Sequence, residues 1–501
     1  MTSKKGHLEA RPLDGLVAGL RGLVRKPLGE GQGPERRPPA AQPAAAENLQ
    51  EAAMEAYLDR MTRLLLDKEL LISRPTDAVQ VIARAYTLAA LRKLDGTRRG
   101  SLVRFLYDLG LLGRSLALDL TGALLAQADL SYAGLSEARL GGSDLSQASL
   151  WMADLTRSHL AQANLSRSDM RGSDLSGADL TGANLGGATL HAAKLGYSGM
   201  SGADLGGANL TQADLRQADL TKADLSRATL KKAVLAGAHL DGATLCEAIL
   251  EGADLSEAFL PEANLRDADL VEANLSRATL TKADLYRADL SRANLAAGKV
   301  DGAALGDVNL SGANLSGANL SGSDLTRAVL QRALLGTAIL NEAILGKADL
   351  SGADLQQAEM CLAELVEADL HEADLTRADL SGANLRMADL TRCRLMQSNL
   401  SETDLNKATL REAVLRRARL EKADLRRANL EEADLIGASL EGADLRGANL
   451  RGARISPEQL AQARTLEGAI LPDGTTQEDT VQPRPVYSVS AQGSLGYSRA
   501  G

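Results

Sequence analysis

The sequence predicts a mainly β chain: a long solenoid, preceded by a small helical domain and followed by a short cap. Three observations carry this reading. A five-residue phrase repeats without a break from Leu118 to Ile455, as in Ala178-Asp179-Leu180-Thr181-Gly182. All 68 positions divisible by five from Leu120 to Ile455 are large and aliphatic, and only Met170, Met200, Val300, Met360 and Ile455 are not Leu. The residue two before each of these is Ala in all but 12 cases, most of the exceptions being Ser.

A period of five suits neither regular element. On an α-helix, steps of about 100° leave successive leucines roughly 140° apart and scatter them round the cylinder. On a flat strand an odd period throws them onto alternate faces. The leucines share one interior only if the chain turns a corner once per repeat. Leu and the Ala two before it then point inward, the other three residues point outward, and each turn rests on the last.

The phrase Ala-(Asp/Asn)-Leu followed by two variable residues resembles the motif of the pentapeptide-repeat family. The resemblance implies a right-handed quadrilateral β-helix with four repeats per coil. Residues 116–455 then make about 17 coils, a rod roughly 80 Å long at the spacing of stacked strands. Each buried Leu contributes on the order of 1.5–3 kcal/mol, so a core with few aromatics can be stable.

In chain order, residues 1–47 read as a disordered leader rich in Gly, Pro, Ala and charge. Within it Leu13, Leu16, Val17, Leu20, Leu23 and Val24 fall at helical spacing, with Arg21, Arg25 and Lys26 on other faces. Residues 13–26 therefore suit an amphipathic helix in weak contact with a membrane surface or partner. Residues 48–115 carry helical grammar: a first helix to about Leu71, a second from Pro75 with Val81, Ile82, Ala85, Leu88 and Leu91 as its apolar face, and a third from Leu102 to Gly110. This segment resembles the helical leader of a subset of bacterial pentapeptide-repeat proteins and is expected to cover the first coil. In the rod, the coils at 193–200 and 298–308 depart from the rule and read as bends or soft points. After Ile455, Ser456-Pro457-Glu458-Gln459 starts a helix. Residues 456–474 form the expected cap, and 475–501 a disordered tail.

Composition narrows the function. Three cysteines, none placed to pair, suit a reducing cytoplasm. Dispersed histidines offer no metal trio and no nucleophile–base pair, so no cofactor and no enzyme activity are expected. Two outward patches are candidate contacts: Tyr132, Trp151, Met152, Arg171 and His191 on one side, and Val329, Leu334, Ile339 and Ile344, which replace Asp/Asn on all four sides of one turn. Acid gathers at Asp241, Glu251, Asp254, Glu257, Glu262, Asp269 and Glu272, and again at Glu359, Glu364, Glu367, Asp369, Glu372, Asp374 and Asp379. Arg416, Arg417, Arg419, Arg426 and Arg427 reverse the sign farther on.

The first functional reading is a non-catalytic scaffold that meets protein partners through its outer faces. The alternative, implied by resemblance to gyrase-binding relatives, is a DNA mimic that occupies DNA gyrase and protects against quinolone-type poisons. Residues 116–455 carry a net charge of −13, whereas B-DNA of about 80 Å carries roughly 47 charges. No basic stripe with stacking aromatics is present, so direct nucleic-acid binding is not expected.

Overall fold

The computed structural model describes residues 43–67, 70–74, 76–113 and 118–477. The expected leader helix at 13–26 and the tail from residue 478 onward lie outside the described residues. Helix α1 (Pro43–Asp67) is followed by a 3-10 turn (Leu70–Ile72), α2 (Ala78–Leu91) and α3 (Gly96–Asp108). The repeats follow, and then the one-turn helix α4 (Pro457–Leu460).

Met54, Tyr57, Leu58, Met61, Leu64 and Leu65 recur at three- and four-residue spacing and form the buried stripe of α1. The Tyr57 hydroxyl shares a buried hydrogen bond of 3.0 Å with Thr87 of α2, and burial raises its pKa well above the ordinary tyrosine value. On α2 the buried face is Gln80, Ala83, Thr87, Ala90 and Leu91. Val81 and Ile82 of the expected apolar face are exposed instead. Small residues let α2 close on α1, and Gln80 faces inward because its Nε2 donates to Leu70 O and Ser73 Oγ.

From Leu124 to Asp434 each residue before a core Leu pairs in parallel with its counterpart 20 residues later, as in Leu124 with Asp144 and Asp144 with Asn164. Four repeats therefore make one coil. The backbone of each repeat forms the same bonds: Leu125 N donates to Asp144 O at 2.7 Å and Gln127 N to Ser146 O at 2.9 Å, both in the next coil. Asp144 N donates back to Ala123 O at 2.9 Å. Ala128 N closes the corner onto Leu125 O at 3.0 Å. The corner holds its second residue in the left-handed region, φ near +58° at Gln127 and Tyr132, the mark of a type II turn.

One N–H per repeat remains, that of the first corner residue. Asp or Asn two residues earlier accepts it: Thr121 N to Asp119 Oδ1 at 2.8 Å, Ser146 N to Asp144 Oδ1 at 3.0 Å, Gly186 N to Asn184 Oδ1 at 2.9 Å. This local bond is the physical reason for Asp/Asn before Leu. The leucines and alanines line the interior at essentially zero exposure. Ile455 departs from this and is half-buried, because α4 takes over the wall there. The expected soft coils are not interrupted: Gly199 N still donates to Ala178 O and Lys299 N to Ala278 O, each at 2.9 Å.

The first coil has no predecessor to fill its outward-facing acceptors, and the helices fill them. Arg84 donates to Asp119 O and Thr121 O, Arg99 to Ala126 O, and Arg104 to Asp129 O and Ser131 O. Gly96 O accepts from Asp129 N at 3.3 Å, as a preceding coil would. Approach is close enough that a Cβ on Gly96 or Gly100 would lie 2.0 Å from the carbonyl oxygen of Gln127 or Asp129. At the other end the chain beyond Ile455 stays in the ladder with one residue more per coil, pairing Asp444 with Thr465 and Asn449 with Ile470. Gln459 Nε2 donates to Leu435 O and Ala438 O, and Gln462 Oε1 accepts from Leu440 N, where α4 interrupts the rungs. Ile470 then pairs antiparallel with Thr476.

Candidate interaction surfaces

Since Leu and Ala fill the interior, the polar chemistry lies on the four walls and their corners. Among the described residues no cluster of His, Cys, Asp or Glu is arranged to hold a metal ion, and no helix is long and apolar enough to cross a membrane. The three cysteines are unpaired. Cys393 is buried with Sγ on Leu370 O, and burial raises its pKa far above the ordinary thiol value.

The first patch is partly assembled. Tyr132 and Trp151 meet edge to face with ring centroids 4.8 Å apart, a favoured aromatic geometry. Both rings and Met152 are exposed, at 63%, 42% and 49%. Met152 leans over the next corner, its Sδ 2.6 Å from where a Cβ on Gly172 would stand. Arg171 turns away from the rings: its Nε and Nη2 reach Asp169 at 2.8 and 2.6 Å, and these bonds hold Asp169 below the usual carboxylate range. His191 lies on the same corner, half-buried, one coil farther on.

The second patch lies on a single coil. Leu334 and Ile344 are exposed, Val329 and Ile339 half-buried. Each replaces the acceptor of the next corner N–H, so Gln331, Gly336, Asn341 and Gly346 lack the bond that the N–H groups of Thr326, Ser351 and Gln356 donate at 2.9–3.1 Å. Hydrogen exchange at those four amides is expected to run on the order of tenfold faster than at Thr326, Ser351 and Gln356. Equal rates measured by NMR would show that the Asp/Asn bond protects nothing.

The acidic stretches are interleaved with bases. Lys231 binds Glu251 at 2.6 Å, Arg277 binds Glu257 at 3.5 Å and Arg292 binds Glu272 at 3.2 Å, each one coil away. Lys347 meets Glu367, Arg392 meets Glu372 and Arg394 meets Asp374. His371 takes Asp369 at 2.6 Å. Asn274, Asn384 and Asn399 donate to Asp254, Glu364 and Asp379, Asn341 to Glu359, and Asp269 accepts from Val271 N. Among the described residues, Asp241, Asp254, Glu262, Asp269, Glu359, Glu364 and Asp379 have no cation within ion-pair distance, so about half of the acids in the two stretches are paired. Surface pairs of this kind contribute little stability each, but they remove negative potential from the wall. Asp307, bound by Arg327 Nε at 2.6 Å, is held down to about 2 by that bond.

Two features escaped the sequence reading. Asp434 and Asp444 are buried, at 8% and 6% exposure, and each anchors two arginines: Arg416 and Arg454 on the first, Arg446 and Arg464 on the second. Arg446 is two residues from Asp444, but the other three arginines stand 18 or 20 residues from their aspartate, a spacing readable only once the coil length is known.

The family model for pentapeptide repeats (8 copies) matches residues 118–147, 153–191, 198–235, 223–260, 260–295, 303–341, 343–382, 378–417, 393–431 and 413–452. The chain belongs to the pentapeptide-repeat family. Pentapeptide-repeat proteins fold as right-handed quadrilateral β-helices and are generally non-enzymatic structural or interaction proteins. No curated relative matches the chain at a significant level. Among solved structures, the chain is similar to HetL of the cyanobacterium Nostoc sp. strain PCC 7120, a pentapeptide-repeat protein involved in heterocyst differentiation regulation. Identity is 33%, over 54% of this chain and 91% of HetL, with a TM-score of 0.17. QnrB1, a plasmid-mediated fluoroquinolone resistance protein, is 21% identical over 38% of this chain and 93% of its own, with a TM-score of 0.23. A pentapeptide-repeat protein of the Arabidopsis thaliana thylakoid lumen is 24% identical over 32% of this chain and 83% of its own, with a TM-score of 0.13. At these TM-scores the family assignment rests on the repeat match and the coil.

Proposed function

We propose that this pentapeptide-repeat chain is a non-catalytic scaffold of about seventeen coils that presents its outer walls to protein partners. The helices at 43–113 cap its first coil and residues 456–477 its last. The observation that carries this reading is the exposed Tyr132–Trp151–Met152 patch, set on a rigid corner and containing the chain's one Trp. Aromatic side chains on a rigid support are typical interface anchors. We place the protein in the cytoplasm, where three unpaired thiols are stable, with residues 13–26 as a weak membrane or partner contact. Mimicry of DNA on gyrase is the second reading, and it starts from the net −13 of residues 116–455. The cations paired along the acidic stretches count against it.

Affinity capture from the host should recover a partner with the parent protein and lose it, by about tenfold or more, with Tyr132→Ala/Trp151→Ala. Identical capture by both proteins would rule out the patch. Recovery of gyrase, with inhibition of supercoiling at micromolar protein, would favour the second reading.

A further inference from the structure

Near the C-terminal end, one corner of the rod opens into a shallow groove of about 590 Å³, lined by Arg377, Met396, Arg416, Arg417, Ile436 and Arg454 among others. Its lining runs over six successive coils from Gln356 to Arg454, roughly 24 Å. Its sign is opposite to that of the rod as a whole. Asp434, buried beneath it, accepts from Arg416 Nε at 2.6 Å and Arg454 Nη1 at 3.0 Å through the same Oδ2. One buried carboxylate thus fixes two guanidinium groups side by side and leaves a positive surplus. The two side chains are 49% and 58% exposed, so their remaining N–H donors are open to solvent. Arg377 is steadied by Gln397 Oε1 at 2.9 Å, and neither it nor Arg417 has a carboxylate within ion-pair distance among the described residues. Between these cations Met396 and Ile436 stand exposed, two coils apart.

We propose that this groove docks an acidic segment of a partner protein, its carboxylates on the arginines and an aliphatic side chain over Met396 and Ile436. Planar guanidinium groups held in place are the preferred receptors for carboxylates and phosphates. The two aliphatic side chains decide between those ligands. A phosphate chain offers them nothing, and the groove has no aromatic ring on which a base would stack. Two aliphatic side chains are also too little apolar surface to enter a bilayer. The surface is separate from the Tyr132–Trp151 patch, so either one can fail alone.

Fluorescence anisotropy with the full-length protein tests this, using a labelled peptide of roughly twenty residues, mostly Glu with Leu at every fourth position. An all-Glu peptide, a DNA duplex of similar length and phosphatidylserine vesicles serve as comparisons. The Glu/Leu peptide is expected to bind saturably and more tightly than the other three. Arg377→Glu/Arg417→Glu should weaken it by at least about tenfold and Ile436→Ser by several-fold, with unchanged melting. Both reversed positions are corner sites, where Glu already stands at Glu257 and Glu372, so the fold is retained. Tyr132→Ala/Trp151→Ala should leave the peptide affinity untouched. The proposal is overturned by absence of saturable binding at about 100 μM, a level of affinity too weak for a specific site. It is equally overturned by tighter binding of duplex, vesicles or all-Glu peptide, or by an affinity that survives the double reversal.

Discussion

Leu270→Ala is expected to cost about 3 kcal/mol, in the lower half of the range for emptying a packed interior, and to divide the unfolding of the rod. Leu270 is fully buried, stacked in register between Leu250 and Leu290, with Ala268 beside it. Its neighbours in the interior, Leu265 and Leu275 among them, are themselves fully buried and held in register by the ladder, so they are poorly placed to fill the gap. In a solenoid each coil touches only the coils before and after, so a local loss is not shared by the whole molecule. Circular dichroism should show a lower first transition, and hydrogen exchange should place the weakened amides within about one coil of residue 270. A loss below about 0.5 kcal/mol, or faster exchange spread evenly along the rod, would refute the nearest-neighbour account.

Gly100→Val should detach α3 from the first coil. A Cβ there would stand 2.0 Å from Asp129 O and 2.8 Å from Asp129 C. Both are backbone atoms of a coil held by its own ladder, so no side chain can yield. The helix has to move, and the Arg104 bonds to Asp129 O and Ser131 O go with it. Overpacking alone costs about 1–3 kcal/mol, and the uncovered carbonyls form an open β edge that invites pairing with other chains. Light scattering should therefore report association together with a lowered melting temperature. Gly141→Ala is the control, since a Cβ there meets only ordinary contacts, the nearest at 3.5 Å. A monomeric Gly100→Val variant as stable as the parent would mean that α3 is not the seal.

The inward pattern was legible to the residue because it is one-dimensional: every multiple of five from Leu120 to Leu450 is buried. Ile455 fails for a reason outside the pattern, the arrival of α4. The face of α2 was misread because hydrophobicity pointed to Val81 and Ile82, while the helix is placed by Gln80 and Arg84, which bond to backbone oxygens distant in sequence. The acidic stretches read as charge runs, but Glu251 and Glu257 find their cations one coil away, so their sign cannot be judged from neighbours in sequence. Asp434 looked like any other aspartate of the repeat. Only its two arginines, from the coils before and after, distinguish it.

The uniform ladder also dictates how the molecule would respond to tension. No coil is knotted into another or pinned by a covalent crosslink among the described residues, and each is held to the next by the same few bonds. Drawn out by its ends, the rod would shed coils one at a time from whichever seal gives way first. Each release would free about 20 residues, lengthening the chain by roughly 65 Å, while the coils still stacked kept their shape and their outer walls.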